Sequence, residues 1–360
     1  MPSLSPSCRS GCSRSPSDAW RDMSLIIVVA LAVVLIIAGG LYQFIGSRRS
    51  ARRYTAPGSI VDVEGQRLHV VCAGNDQPPV VFESGIAASS LSWARVLHEA
   101  GTFTRACAYD RAGLGWSPSS RVPRTVATML RELRGVLMNA APAAGTVLVG
   151  HSFGAFLVCA YASRYPGDVA GVVLLDPPSE WHELTARQRR LLWGGIHLSR
   201  VGAILARVGV VRACLALLTG GAPGVPRNVA RLFGPVTART LERLVGEVRK
   251  LPPEVHPLVQ MLWCEPKCFR AMADHLSALD ETAAAVGRIT SLPNIPLVVI
   301  SSGDQPSEVL ERHRLLAALS PSGRHVVAHT SGHWIQFDDP DLVVSTIREM
   351  VDRIRRTRAA

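Results

Sequence analysis

The sequence predicts an α/β protein: a mostly parallel central sheet with helices on both faces, a helical cap insertion, and a transmembrane helix in front of it. Three observations predict this. Val80–Glu83, Val147–Val149, Val172–Leu175 and Leu297–Ile300 are short aliphatic runs of the kind found in parallel strands buried on both faces. Segments with apolar residues at helical spacing, such as Val126–Leu137, alternate with these runs, and that alternation implies a sheet covered on both sides. Finally, Met23 to Ser47 carries no charged residue, and about 20 apolar residues suffice to cross a bilayer as a helix.

Taken in order, residues 1–22 are rich in Ser, Pro and Arg and read as a disordered N-terminal segment. Residues 24–46 read as the transmembrane helix. A signal peptide is the competing reading, with small residues Ala38-Gly39-Gly40 near a cut, although its apolar stretch is normally only about 7–15 residues. Arg48, Arg49, Arg52 and Arg53 follow at once and favour a cytoplasmic body; Arg9, Arg14 and Arg21 oppose that orientation. Met23 opens the apolar run and is read as the start of translation, which leaves little opposing charge. Residues 47–58 then form a linker.

Residues 59–176 form the first part of the core. Ile60–Val63 and Arg67–Cys72 alternate around Glu64-Gly65 as a hairpin, and Ala106–Tyr109 is a further strand. Residues 177–292 show helical patterns, such as Leu191–Leu218 and Leu241–Val248, without a convincing strand. Their position between strand-like runs predicts a helical cap over the C-terminal edge of the sheet, where open α/β sheets bind ligands. Residues 293–357 complete the core with His325–Ala328 as last strand and Leu342–Ile354 as closing helix.

The formal net charge of the 360 residues is +11, carried by Arg, since Lys250 and Lys267 are the only lysines. The arginines are scattered, with no basic stripe interleaved with aromatics, so nucleic acid is not an expected partner. Cys72, Cys107 and Cys159 sit in apolar patterns and are expected as buried thiols. Cys264 and Cys268 stand four apart, on one face if helical. They lack the partner pair a zinc site needs, so no metal is expected, and a local disulfide between them suits an oxidising compartment.

The strongest chemical signal is Gly150-His151-Ser152-Phe153-Gly154, placed after a strand-like run and before a helical one. This is the setting of a nucleophile elbow: flanking glycines allow strand and helix to approach, and the helix N-terminus points amides at developing negative charge. A serine hydroxyl needs a base. His333, in Ser331-Gly332-His333-Trp334 after the last strand-like run, is the expected base; His325 and His329 are nearby rivals.

With these motifs go Phe82-Glu83-Ser84-Gly85-Ile86 and the run from Tyr109 to Ser117, Tyr-Asp-Arg-Ala-Gly-Leu-Gly-Trp-Ser. Together they resemble the α/β-hydrolase superfamily, in particular its capped serine-hydrolase branch, over roughly Ser59 to Arg355. The resemblance implies an oxyanion hole from the backbone amides of Ile86 and Phe153, although many relatives carry His-Gly where this chain has Ser84-Gly85. It implies an acid after one of two strands. Asp304 follows Leu297–Ile300, the usual position, but lacks the two residues that ordinarily separate Gly from Asp. Asp176, ending Val172–Leu175, is the alternative. Asp304 is favoured. Asp110 and Arg111 are expected to be structural, the Asp bonding loop amides with an Arg partner, and Glu83 to support the loop beside it. Asp338 and Asp339 are expected to cap the final helix.

The implied reaction is cleavage of a carboxylic ester or thioester through an acyl-enzyme on Ser152. None of its steps calls for a metal or organic cofactor. Serine at the elbow argues against the epoxide hydrolases and dehalogenases of this fold, which use a carboxylate there. Alternatives are a peptidase, an amidase or a cofactor-free perhydrolase with the same triad, and a non-catalytic membrane scaffold, which need not retain Ser152 and His333. The expected substrate is a small, apolar acyl compound, with Trp181, Trp193 and Trp263 as residues that either line its pocket or form the cap's own core.

Overall fold

The computed structural model describes residues 16–142, 145–179, 184–219 and 250–359. Eight strands form one sheet: β1 (Ser59–Val63), β2 (Gln66–Ala73), β3 (Val80–Glu83), β4 (Ala106–Tyr109), β5 (Thr146–His151), β6 (Val169–Leu175), β7 (Leu297–Ser302) and β8 (Gly323–Ala328). Their spatial order is β1-β2-β4-β3-β5-β6-β7-β8. The hairpin β1–β2 and the pair β2–β4 are antiparallel, and every later pairing is parallel. Glu64 (φ 52°) and Gly65 (φ 83°) form the hairpin turn, both left-handed as a two-residue turn matched to the strand twist requires.

The aliphatic runs are central strands because each is covered twice. Val81, Leu148, Val172, Leu174 and Val299 pack on one face, beneath α3 (Val126–Ala140) and α4 (Phe153–Arg164). Val80, Phe82, Val147, Val149, Val173 and Ile300 pack on the other, against α2 (Ala94–Ala100) and the closing helix, Pro340–Ala359. Thr125 caps α3 by accepting from the Thr128 amide at 3.2 Å, and its buried positions Val126, Met129, Leu130, Leu133 and Leu137 form one stripe. Asp339 accepts from the Leu342 amide at 3.1 Å and so caps the closing helix. Asp338 instead holds the Gly332 amide at 2.9 Å.

Between β6 and β7 the described elements are all helical: α5 (Ala186–Arg207), α6 (Val210–Thr219), α7 (His256–Trp263), α8 (Pro266–Ser277) and α9 (Leu279–Gly287). The expected helix at Leu241–Val248 and the residue Trp181 lie outside the described residues. After β7 come α10 (Ser307–Ala317), the short α11 (Ile335–Asp338) and the closing helix, α12.

Three expectations need correction. First, the N-terminal helix, α1, runs unbroken from Pro16 to Arg53, so 16–22 are helical and the linker is confined to the residues after Arg53. Nothing between Ser47 and Arg53 breaks a helix; charge alone does not. Second, Cys72 and Cys107 are not thiols but a disulfide: β2 pairs with β4 in a register that sets these two residues opposite one another. Third, Cys264 ends α7 while Cys268 lies in α8, and both are free and buried.

Candidate active site

At the end of β5 the chain turns sharply into α4, and Ser152 occupies the turn with φ 53° and ψ −122°. A non-glycine residue there is strained, by about 1–3 kcal/mol, and such strain concentrates at functional sites. The neighbours make the turn feasible. A Cβ on Gly154 would collide with the Glu83 carbonyl oxygen and lie 2.7 Å from that of Ser84. A Cβ on Gly150 would lie 2.8 Å from the Ala155 Cα and amide nitrogen. The Ser152 amide donates to the Leu175 carbonyl at 2.9 Å, fastening the elbow to β6.

The loop after β8 brings His333 to the same edge. Its Nδ1 lies 2.7 Å from Asp176 Oδ2. Asp176 is buried and also accepts from the Ser302 amide at 3.0 Å and from Gln305 Nε2 at 3.0 and 2.9 Å. Burial alone would raise its pKa, but the hydrogen bonds from His333, Ser302 and Gln305 outweigh it and hold the carboxyl below its ordinary value. Asp304, the favoured acid, is exposed and, among the described residues, accepts only from the Ser302 hydroxyl, at 2.7 Å. The preference for Asp304 is therefore corrected: the structure brings Asp176, not Asp304, to His333. The φ of +40° at Asp176 turns its side chain beneath the end of β7, whereas Asp304 directly follows Gly303 and stays outside.

The rival histidines are elsewhere. His325 Nε2 contacts the Ser301 hydroxyl at 2.7 Å, and His329 is exposed. His151 is a residue that sequence reasoning passed over. Its Nε2 lies 2.8 Å from the His333 carbonyl oxygen, and its ring centroid is 4.8 Å from that of His333 and 4.7 Å from that of Trp334. Burial, reinforced by the neighbouring His333, lowers its pKa to about 3, so the ring is neutral. Ser152 Oγ makes no hydrogen bond to His333 among the described residues. Catalytic hydrogen bonds are often open in unliganded enzymes and tighten with substrate bound.

The fold agrees with comparison against known proteins. The family described as alpha/beta hydrolase fold matches residues 78–194. A protein of Gibberella zeae named as an AB hydrolase superfamily protein is 33% identical over 301 residues, covering 78% of this chain and 88% of that one. The chain belongs to the α/β-hydrolase superfamily. Among solved structures, a thermophilic esterase from Thermogutta terrifontis superposes with a TM-score of 0.59 at 20% identity, over 82% of this chain and 99% of the other. The epoxide hydrolase CorEH superposes with a TM-score of 0.60 at 16% identity, over 82% and 98%. At such identity these two likenesses concern the fold alone. The chain spans about half the length of two Bacillus subtilis relatives that it matches at 26% and 34% identity.

In this α/β-hydrolase the loop after β3 is held from below by Arg111. Its guanidinium is buried, paired with the buried Glu83 carboxylate, and donates to the Ser84 and Gly85 carbonyls at 2.5 Å each. The same group lies 5.4 Å from the Phe153 ring centroid, and its Nε donates to His275 of α8 at 3.3 Å. Arg111 thus touches both the segment that leads into Ile86 and the Phe153 side chain at the start of α4. Asp110 bonds the Ser90 amide at 2.7 Å and the Trp116 amide at 2.9 Å, as expected of a loop-bracing Asp. Its ionic partner is His69, at 2.8 Å, rather than an arginine.

Beside the elbow is an apolar cavity of about 70 Å³, lined by Ile86, Leu91 and Trp334 of the core and by Leu251, Val259 and Trp263 of the insertion, among others. Trp193 does not reach it; it lies exposed on α5.

Proposed function

We propose that this α/β-hydrolase is a membrane-anchored serine hydrolase that cleaves a carboxylic ester or thioester through an acyl-enzyme. One observation carries the reading: His333 Nδ1 sits 2.7 Å from the buried Asp176 carboxylate, at the sheet edge where Ser152 occupies a strained turn. An ionised Asp176 fixes the proton of His333 on Nδ1, which leaves Nε2 with a lone pair for the Ser152 proton. Oγ then bonds to the substrate carbonyl carbon, and the carbonyl oxygen becomes an oxyanion held by the Ile86 and Phe153 amides. Each such donor typically contributes about 3–4 kcal/mol of transition-state stabilisation. Collapse expels the alkoxide or thiolate, which takes the proton from Nε2. Water, deprotonated by His333, then releases the acid and restores Ser152. The cavity lined by Ile86, Trp263 and Trp334 favours an apolar acyl group. A serine rather than a carboxylate at position 152 supports acyl transfer over epoxide or halide chemistry.

The anchor in this proposal is α1, whose apolar stretch has a mean hydropathy of 3.0 and is unburied. Disulfides persist in oxidising compartments, so the Cys72–Cys107 bond supports a body outside the cytoplasm, against the side that the arginines after the span favour. The test is labelling of the full chain with a fluorophosphonate. Wild type is expected to be labelled and Ser152→Ala to remain folded and unlabelled. Labelling that persists in the variant moves the nucleophile elsewhere, and none in folded wild type removes the hydrolase reading.

A further inference from the structure

Where α1 leaves its apolar stretch, it is clamped to the insertion by a polar network that the catalytic reading does not use. Gln43 is buried on α1 and donates to the Cys264 carbonyl at 2.9 Å, and Arg212 of α6 donates to the Gln43 oxygen at 2.9 Å. Ser47 donates to Glu265 at 2.6 Å and accepts from Arg212 at 3.1 Å. Beside this clamp, between α1, α6 and α7, opens a cavity of about 360 Å³. Arg49, Arg53 and Arg212 line it, with Ser50 as a further donor and Tyr42 and Met261 as apolar wall.

Its charge is not balanced. Among the described residues no carboxylate lines the cavity, and Glu265 pairs with Arg212 at 3.4 Å. Among the described residues Arg49 and Arg53 have no carboxylate partner; four apart on α1, they share the cavity face. Its depth is equally specific. Arg49 stands four residues, about 6 Å along the helix, past Ile45, the last aliphatic residue of the charge-free stretch. A headgroup layer is roughly 5–8 Å thick on each side of the hydrocarbon.

We propose that this cavity binds the phosphate of an anionic phospholipid headgroup, with the acyl chains descending along the apolar part of α1. The inference rests on α1 spanning the membrane and is independent of the reaction at Ser152. The phosphodiester oxygens accept from the Arg49 and Arg53 guanidinium groups, and Ser50 faces the same space.

The experiment is native mass spectrometry of the full chain in detergent, titrated with phosphatidylglycerol, with phosphatidylcholine, and with inorganic phosphate. One phosphatidylglycerol is expected to bind in preference to phosphatidylcholine and to resist displacement by phosphate. Arg49→Gln/Arg53→Gln is expected to weaken it by roughly tenfold or more, at about one Arg-sized increment per residue. Arg48→Gln/Arg52→Gln removes the same charge from the same helix outside the cavity and is expected to change binding less than about twofold. A second variant, Arg49→Glu, is expected to abolish the preference. Equal losses in both double variants would reduce the effect to general surface charge and overturn the site. So would equal binding of the two lipids. Phosphate that binds alone and displaces the lipid would overturn the lipid as its source. Fluorophosphonate labelling of Ser152 is expected to be unchanged throughout, which separates this test from that of the reaction.

Discussion

His151 Nε2 lies 2.8 Å from the main-chain oxygen of His333, so the residue before the candidate nucleophile holds the peptide of the candidate base. Being neutral, the ring donates this bond, and it lies tilted at 49° against the ring of His333 with 4.8 Å between centroids. Loss of the bond frees the His333 loop, and a misplacement near 1 Å can cost about a hundredfold in rate. His151→Ala is therefore expected to lower kcat roughly ten- to a hundredfold with KM little changed. Steady-state kinetics on a p-nitrophenyl ester check it; a KM effect alone would refute a positioning role.

The acid is tested by paired substitutions. Asp176→Asn leaves the contact with His333 but removes the charge that fixes the tautomer, and kcat is expected to fall by about 10⁴. Asp304→Asn, at an exposed side chain bonded to the Ser302 hydroxyl, is expected to stay within about threefold. A larger loss in the second variant would restore the original preference.

Arg111 contacts both segments that the proposed mechanism uses for its oxyanion amides, and on that proposal it is a positioning residue. Arg111→Gln strands the buried Glu83 carboxylate and releases the Ser84 and Gly85 carbonyls. Breaking a buried pair in this way typically costs about 3–5 kcal/mol, so a large drop in Tm is expected. Glu83→Gln/Arg111→Gln, which removes both charges, is expected to recover part of the Tm but not kcat. Denaturation monitored by fluorescence, alongside kinetics, separates the two effects.

Acid sensitivity follows from two buried imidazoles. Burial lowers the pKa of His151 to about 3, and burial with the nearby Arg111 and Arg124 lowers that of His275 well below the ordinary 6.5. Below pH 6.5 the unfolded chain takes up protons at these positions and the folded chain does not, so stability falls as the pH drops. The expected slope is about 1.4 kcal/mol per pH unit for each group, running for His151 from pH 6.5 down to about 3. His151→Gln is expected to flatten the decline of Tm between pH 7 and 5; an unchanged decline would show that other groups dominate.

What was legible in the sequence was whatever is written locally. Strands buried on both faces are continuous aliphatic runs, and an elbow between strand and helix needs its glycines within five residues, so Val147–Gly154 could be read directly. His333 was legible because its loop returns to the same edge. The acid was not, because Asp176 and Asp304 end neighbouring strands and differ only in loop geometry; the missing spacer after Gly303 was the available signal. Cys72 and Cys107 escaped notice because β2 pairs with β4 rather than with the strand that follows it. His151 stands inside the motif itself, at a position the elbow pattern leaves open, so nothing local points to its contact with the His333 carbonyl. Arg111 was read as the partner of its neighbour, whereas the pairing with Glu83 depends on two strands lying side by side.

The unbroken course of α1 has a further consequence. Thirty-eight residues make a rod of about 57 Å, longer than the roughly 30 Å of hydrocarbon in a bilayer, and its far end is bolted to the insertion through Gln43 and Ser47. An enzyme on a slack tether sweeps a hemisphere and reaches substrates at any height. On the proposed membrane-anchored reading, α1 holds the body at a single altitude with one side turned to the lipid, so tilting or thinning of the bilayer would pass directly to α6 and α7 of the insertion.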